Sequence, residues 1–179
     1  MNTYIALLKG INVGGHRKVP MAELRELLAK VGFKDVRTYI QSGNVVLKSS
    51  EKSNEAIEDS IQKAIAKHFG FEVFVMIKTR NDLKRIFDNC PFSEEKKKSS
   101  YFTILHSSPS EDMIAEASQK IYENEEYTII DDCIYYYCEK GYAKAKFNMN
   151  YFERKLNTTG TTRNYNTMVK LIEMSSEEN

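Results

Sequence analysis

A basic, glycine-rich stretch follows the first apolar run of the chain. Residues 9–18 contain three glycines and four residues that are Lys, Arg or His. Glycine allows backbone N–H groups to approach a ligand closely, and cations near the start of a helix attract anions. The spacing matches neither a Walker A loop nor a dinucleotide-binding fingerprint, and a purely structural loop is the alternative interpretation. The residues predicted to form an anion-binding loop are Lys9, Gly10, Asn12, Gly14, Gly15 and Lys18.

A second polar cluster lies at residues 41–44, between two strand-like runs. Gln41, Ser42 and Asn44 offer neutral donors and acceptors that suit a polar ligand. Ser, Gly and Asn also dominate turns for backbone reasons alone. Turn composition favours this structural interpretation over the ligand site.

A third polar cluster precedes the C-terminal apolar stripe. Thr162, Arg163 and Asn164 are predicted to open the last helix, where hydroxyls, N–H groups and a cation suit an anion. Lys155 adds another cation. Helix capping explains one threonine, but residues 158–162 contain four.

Charge is unevenly distributed along the chain. The net charge of the whole chain is +1, yet residues 1–48 carry +5 and residues 144–170 carry +5. Each basic segment contains one of the glycine-containing clusters, so we predict that they converge with residues 41–44 on one concave, positive surface. Ordinary solvated faces are the alternative.

No arrangement of residues identifies a catalytic centre, and the sequence leaves catalysis open. The three histidines are far apart, and nucleophile-elbow and zinc-protease motifs are absent. Tyr135–Tyr137 invites comparison with RNA recognition motifs, but residues 43–48 lack the aromatic side chains that this fold requires. Nucleic-acid binding is therefore weakly supported, no metal site is predicted, and no cofactor is identified.

Composition is that of a soluble globular protein, with 41% hydrophobic and 28% charged residues. No apolar run is long enough to span a bilayer, so we expect no membrane association. Cys133 and Cys138 lie five apart on one strand-like run, which places their side chains on opposite faces. A disulfide between them would distort the backbone, so we expect reduced thiols in a cytoplasmic protein.

Hydrophobic periodicity predicts an α+β fold made of two related subdomains. The first, residues 1–79, reads β-α-β-β-α-β, the order of a ferredoxin-like unit. The second, residues 80–179, reads β-α-β-β followed by two helices near 148–157 and 163–173. These C-terminal helices are expected to pack back on the first subdomain. In the second subdomain, the residues predicted to face inward from its first helix are Ile114, Ala117 and Ile121.

Two strings of residues resemble a bacterial family of unknown function, the domain-of-unknown-function 1697 family. They are Tyr4–Gly15 and Thr38–Val46, and the resemblance runs on to Thr162–Thr167, nearly the whole chain. It implies a small bacterial protein of two α+β subdomains with a ferredoxin-like βαββαβ unit. It supplies no activity, substrate or catalytic residue.

The three polar clusters coincide with these two strings and with the Thr162–Thr167 segment, which favours a functional role for them. We therefore predict binding of an anionic or phosphate-bearing small molecule or a nucleotide at a basic site rich in Gly, Asn and Thr. The alternatives are an enzyme that uses the same pocket, and a module that binds nucleic acid or protein. A deep cleft would favour the enzyme, a broad positive surface nucleic acid, and a flat apolar patch a protein partner.

Overall fold

The structure is a computed structural model that describes residues 1–176. The chain divides into two compact units, one formed by Met1–Lys84 together with the stretch from Val169, and the other by Arg85–Met168. Each unit contains a four-stranded antiparallel sheet and helices. The predicted α+β class, with two similar halves, is confirmed.

The first unit has the βαββαβ order expected from the sequence. Its elements, with the helix that follows them, are β1 (Asn2–Leu8), α1 (Met21–Val31), β2 (Lys34–Tyr39), β3 (Asn44–Ser49), α2 (Asn54–Phe69), β4 (Val75–Lys78) and α3 (Arg80–Asp88). The strands lie in the order β2-β3-β1-β4, and all neighbouring pairs are antiparallel. This is the strand order of a ferredoxin-like sheet.

The core of the first unit lies between the sheet and the apolar stripes of α1 and α2. Leu24 and Leu28 of α1, with Ile61 and Ile65 of α2, are fully buried against alternate residues of β1. Burial of each such side chain contributes about 1.5–3 kcal/mol. The packing fixes β1, and with it the place where the loop after Leu8 begins.

The second unit repeats the same order. Its elements, with the last helix of the chain, are α4 (Glu94–Lys97), β5 (Tyr101–Leu105), α5 (Glu111–Ala117), β6 (Glu125–Ile130), β7 (Cys133–Cys138), α6 (Met149–Leu156), β8 (Gly160–Asn164) and α7 (Tyr165–Met174). The strand order is β6-β7-β5-β8, the same pattern as in the first sheet. The second half is therefore βαββαβ followed by a helix.

Two sequence expectations for the second half are corrected. Residues 160–164 form a strand that pairs with β5, so they do not open the last helix, which starts at Tyr165. Ile121 does not face inward: α5 ends at Ala117, four residues earlier, and Ile121 is 87% exposed. Within residues 1–176, every helix is too short or too polar to pass through a lipid bilayer.

Candidate functional site

Residues 12–17 form a small β-hairpin, called the glycine hairpin below. Val13 and His16 form an antiparallel bridge, and the His16 N–H donates to the Val13 carbonyl at 3.1 Å. Gly14 and Gly15 between them have φ angles of 58° and 78°. A type I′ turn requires positive φ at both central residues, so two successive glycines make this tight hairpin.

The side chain of Asn12 joins the base of the glycine hairpin to the turn at residues 40–43. Its Nδ2 donates to the carbonyls of Val19 at 3.0 Å and Gln41 at 2.7 Å, and its Oδ1 accepts from the Val19 N–H at 2.8 Å. Both amide hydrogens are therefore used within the protein. The structure thus brings the first two predicted segments together, and Asn12 is the residue that positions them.

Two residues of the 41–44 segment serve the turn itself. Asn44 is fully buried, and its Nδ2 donates to the Tyr39 carbonyl at 3.1 Å and to the Ser42 hydroxyl at 3.0 Å. These bonds match the turn interpretation of Ser42 and Asn44. Gln41 is exposed, and its side-chain amide has no hydrogen bond within residues 1–176.

Two exposed apolar residues, Val13 and Ile40, are the chain neighbours of Asn12 and Gln41. Val13 is 66% exposed, and Ile40 is 51% exposed with a φ of 49°. A β-branched residue in the left-handed region is a genuine outlier. Such strain costs about 1–3 kcal/mol and is found most often at functional sites.

Two cations of the loop, Arg17 and Lys18, are exposed beside the exposed imidazole of His16. His16, Arg17 and Lys18 make no ion pair within the part of the chain that the structure describes. Lys9 is half-buried, and its backbone N–H donates to the Phe74 carbonyl. Five lysines elsewhere do form ion pairs, namely Lys48–Asp35, Lys63–Asp59, Lys96–Glu126, Lys155–Glu116 and Lys170–Glu173.

An open depression of about 500 Å³ lies beside Arg17. Asp59, Lys63 and Glu72 contribute to its wall, and Asp59 pairs with Lys63 at 2.6 Å. The depression is open to solvent, and Ala66 and Phe74 add apolar surface to its charged wall. Arg17 is therefore at a surface that an extended ligand can reach, at the edge of an open groove.

The third predicted cluster lies in the second unit, on β8. Arg163 is only 7% exposed, and its Nη1 donates to the Thr161 hydroxyl at 2.8 Å and to the Thr162 carbonyl at 2.9 Å. Burial lowers the pKa of Arg163 to about 10. Arg163 is thus part of the interior of the protein.

The other members of this cluster also have partners within the protein. The Thr162 and Thr103 hydroxyls lie 2.8 Å apart, and the Asn164 Oδ1 accepts from the Thr167 N–H at 2.9 Å in the first turn of α7. Lys155 pairs with Glu116, and this hydrogen-bonded pair raises the pKa of Lys155. Convergence of this segment with the glycine hairpin stays a prediction.

Four residues that the structure makes prominent lie outside the predicted ligand-binding set, although two of them, His16 and Arg17, belong to the basic stretch 9–18. Arg17 supplies an unpaired charge and His16 an exposed imidazole, while Val13 and Ile40 expose apolar surface. The two basic residues can be recognised in the sequence because they adjoin Lys18. Exposure of Ile40 has no sequence signal, since an isoleucine in a strand-like run predicts burial.

The aromatic strand β7 serves packing. Tyr135 and Tyr136 are buried, and their hydroxyls donate to the Ile86 carbonyl at 2.6 Å and to the Glu125 carboxylate at 2.8 Å. Burial raises the pKa of both hydroxyls. Within residues 1–176, no three His, Cys, Asp or Glu side chains are grouped so that they could hold a metal ion.

Comparison with known proteins identifies a family and a similar solved structure. A family model described as "Protein of unknown function (DUF1697)" matches residues 1–135. No curated protein matches the chain. Among solved structures, the chain is similar to the conserved bacterial protein SP0830 from Streptococcus pneumoniae, with 25% identity, a TM-score of 0.76, and coverage of 97% of this chain and 98% of that one.

Proposed function

For a chain that belongs to the DUF1697 family of proteins of unknown function, we propose that the glycine hairpin binds a phosphate-bearing ligand. The observation that carries this proposal is the exposed, unpaired cation pair Arg17 and Lys18 at the end of the fixed glycine hairpin, beside the exposed imidazole of His16. Surface cations attract phosphate groups. Within the described residues neither Arg17 nor Lys18 forms an ion pair, although Asp59 and Glu72 line the depression beside Arg17. The cytoplasmic location that the cysteine pattern favours is part of this proposal.

Preorganisation of the hairpin supports the proposal. The bridge between Val13 and His16 and the bonds of Asn12 hold the loop before any ligand arrives. A loop that is already ordered loses less conformational entropy on binding. In addition, the N–H groups of Gly14 and Gly15 have no acceptor within residues 1–176, and two such neighbouring donors suit a phosphate oxygen.

The shape of this surface favours a ligand that extends beyond one enclosed pocket. Residues 13–18 are all exposed, and the depression beside Arg17 is open. The depression beside Arg17 is not the deep cleft that would favour the enzyme alternative. Phosphate groups reach such a surface from a nucleic-acid backbone or from a free nucleotide, and the same chemistry recognises both.

The test compares two double variants with equal loss of charge. Arg17→Ala/Lys18→Ala removes the hairpin cations, whereas Lys30→Ala/Lys67→Ala removes two exposed lysines from α1 and α2. Binding of a labelled single-stranded oligonucleotide, its duplex and adenosine monophosphate is measured across a range of salt concentrations. We expect the hairpin variant to bind about tenfold more weakly. The slope of log affinity against log salt concentration should fall by the amount that corresponds to about two phosphate contacts.

The ligand series identifies the source of the phosphate. Hairpin-dependent binding of oligonucleotides alone indicates nucleic acid, and hairpin-dependent binding of the mononucleotide indicates a small-molecule site. Equal weakening by the two double variants would show that only net charge matters, and it would refute the proposal. Absence of binding to all three probes would refute it as well.

A further inference from the structure

The register between strands β2 and β3 shifts between Lys34 and Arg37. Lys34 lies opposite Lys48, but Arg37 lies opposite Val46, so three steps along β2 match two steps along β3. One extra residue in one strand is a β-bulge, a feature that redirects side chains and often occurs beside functional sites. Without it, Lys34 and Arg37 would point to opposite faces of the sheet.

Because of the bulge, three cations lie on one face of the first sheet. Residues directly opposite each other in an antiparallel pair share a face, as do residues two apart on one strand. Lys34, Arg37 and Lys48 therefore lie on the same face, and Thr3 of β1, opposite Lys48, extends the row. This end of the sheet holds the start of β1, whereas the glycine hairpin follows its other end.

These cations line a depression of about 830 Å³ within the first unit. Asp35 also lines it and pairs with Lys48 at 2.7 Å, which lowers the pKa of Asp35 and keeps its carboxylate charged. Lys34 is exposed and has no ion pair in the described part of the chain. Three cations and one carboxylate leave a net charge of +2 in the depression.

Arg37 brings donors that the protein does not use. Its Nη2 donates to the Met174 carbonyl at 2.8 Å, which holds the side chain in place. Its Nε is buried and has no acceptor among the described residues. A buried N–H without an acceptor is unfavourable, and an oxyanion is the acceptor that an arginine binds best.

From this geometry we infer that the face carrying Lys34, Arg37 and Lys48 is a second binding site, separate from the glycine hairpin, whose ligand is a small phosphate monoester. A phosphate monoester carries a charge of about −1.5 to −2 at neutral pH, which matches the net charge of the site. A monocarboxylate leaves half of that charge uncompensated. The depression has the size of ordinary small-molecule sites, which are about 300–1,000 Å³.

The test follows backbone amide signals of the ¹⁵N-labelled full chain during titration. Phenyl phosphate is the probe, and benzoate at equal ionic strength is the control with the same ring and a single charge. We expect saturable shifts at residues 34–37 and 48 with phenyl phosphate, and much weaker ones with benzoate. Lys34→Ala, a change at an exposed side chain, should weaken binding about fivefold, while Lys30→Ala on α1 should leave it unchanged.

Three results would overturn the inference: no saturable shift at residues 34–37, an equal response to benzoate, or equal weakening by Lys34→Ala and Lys30→Ala. Shifts confined to residues 12–18 are a case of the first result, and they would at the same time support the proposed function. Conversely, a titration at residues 34–37 that is unaffected by Arg17→Ala/Lys18→Ala establishes this site independently of the hairpin.

Discussion

Two glycines with the same backbone conformation are expected to respond very differently to alanine. Gly15 has a φ of 78° and Gly43 a φ of 77°. For both, the left-handed conformation costs an alanine about 1–2 kcal/mol, and loss of freedom in the unfolded chain offsets about 0.4–1 kcal/mol. At Gly15, nothing lies within 4 Å of the added Cβ, so Gly15→Ala should destabilise the protein by only about 0.5–1 kcal/mol.

At Gly43 the added methyl group meets β1. Its Cβ would lie 2.7 Å from the Leu8 Cβ and 2.8 Å from the Leu8 carbonyl oxygen. The Leu8 N–H also donates to the Gly43 carbonyl at 2.8 Å, so the two segments cannot separate without losing that bond. Overpacking of this kind adds about 1–3 kcal/mol, which brings the expected loss for Gly43→Ala to about 2–4 kcal/mol.

Urea unfolding followed by far-ultraviolet circular dichroism measures both variants against the parent protein. The expected result is a clear loss of stability for Gly43→Ala and a small one for Gly15→Ala. Equal losses would refute the reasoning, because they would show that φ alone sets the requirement for glycine. A large loss at Gly15 with a small one at Gly43 would contradict the close approach of the 40–43 turn to β1.

Two further predictions concern strain and ionisation. Ile40→Asn should raise the free energy of unfolding by about 1 kcal/mol, because Asn tolerates positive φ, whereas Ile40→Val should not; urea unfolding of both variants tests this. Burial raises the pKa of Tyr127 to about 12, and its neutral hydroxyl donates to the carbonyls of Ala117 and Lys120. Because the folded pKa is raised, this stabilisation is complete below pH 10 and is lost as the pH approaches about 12. Tyr127→Phe should therefore lose less stability over that interval, and equal alkaline losses would contradict the assignment.

The first unit could be predicted because its periodicities are long and change cleanly. Leu24 and Leu28 mark one face of α1, Ile61 and Ile65 mark α2, and each is fully buried in the structure. Helix and strand periods differ so clearly that element order follows from spacing alone. The strand order then follows because a ferredoxin-like unit has few alternative topologies.

Strand β8 was not predicted from the sequence because its buried side chains are polar. Thr161 is 5% exposed, and the Thr162 hydroxyl pairs with that of Thr103 on β5. Threonine is a good strand former, yet threonines beside glycine also resemble a helix-capping segment. The deciding contacts lie on β5, about 59 residues earlier in the chain, and local pattern carries no information about them.

The candidate sites also depend on contacts of single side chains that a local sequence pattern does not predict. Composition located the basic glycine loop, but it could not show that the amide of Asn12 is used up in bonds to Val19 and Gln41 while Arg17 is left exposed. The bulge that places Lys34 and Arg37 on one face is likewise a property of pairing with β3. In both places the charged residues are visible in the sequence, and the backbone conformation decides which of them a ligand can reach. Gly43→Ala therefore tests the backbone conformation, whereas substitutions at Arg17 or Lys34 test the charge that a ligand meets. When the two kinds of variant are combined, their changes in the free energy of unfolding should add.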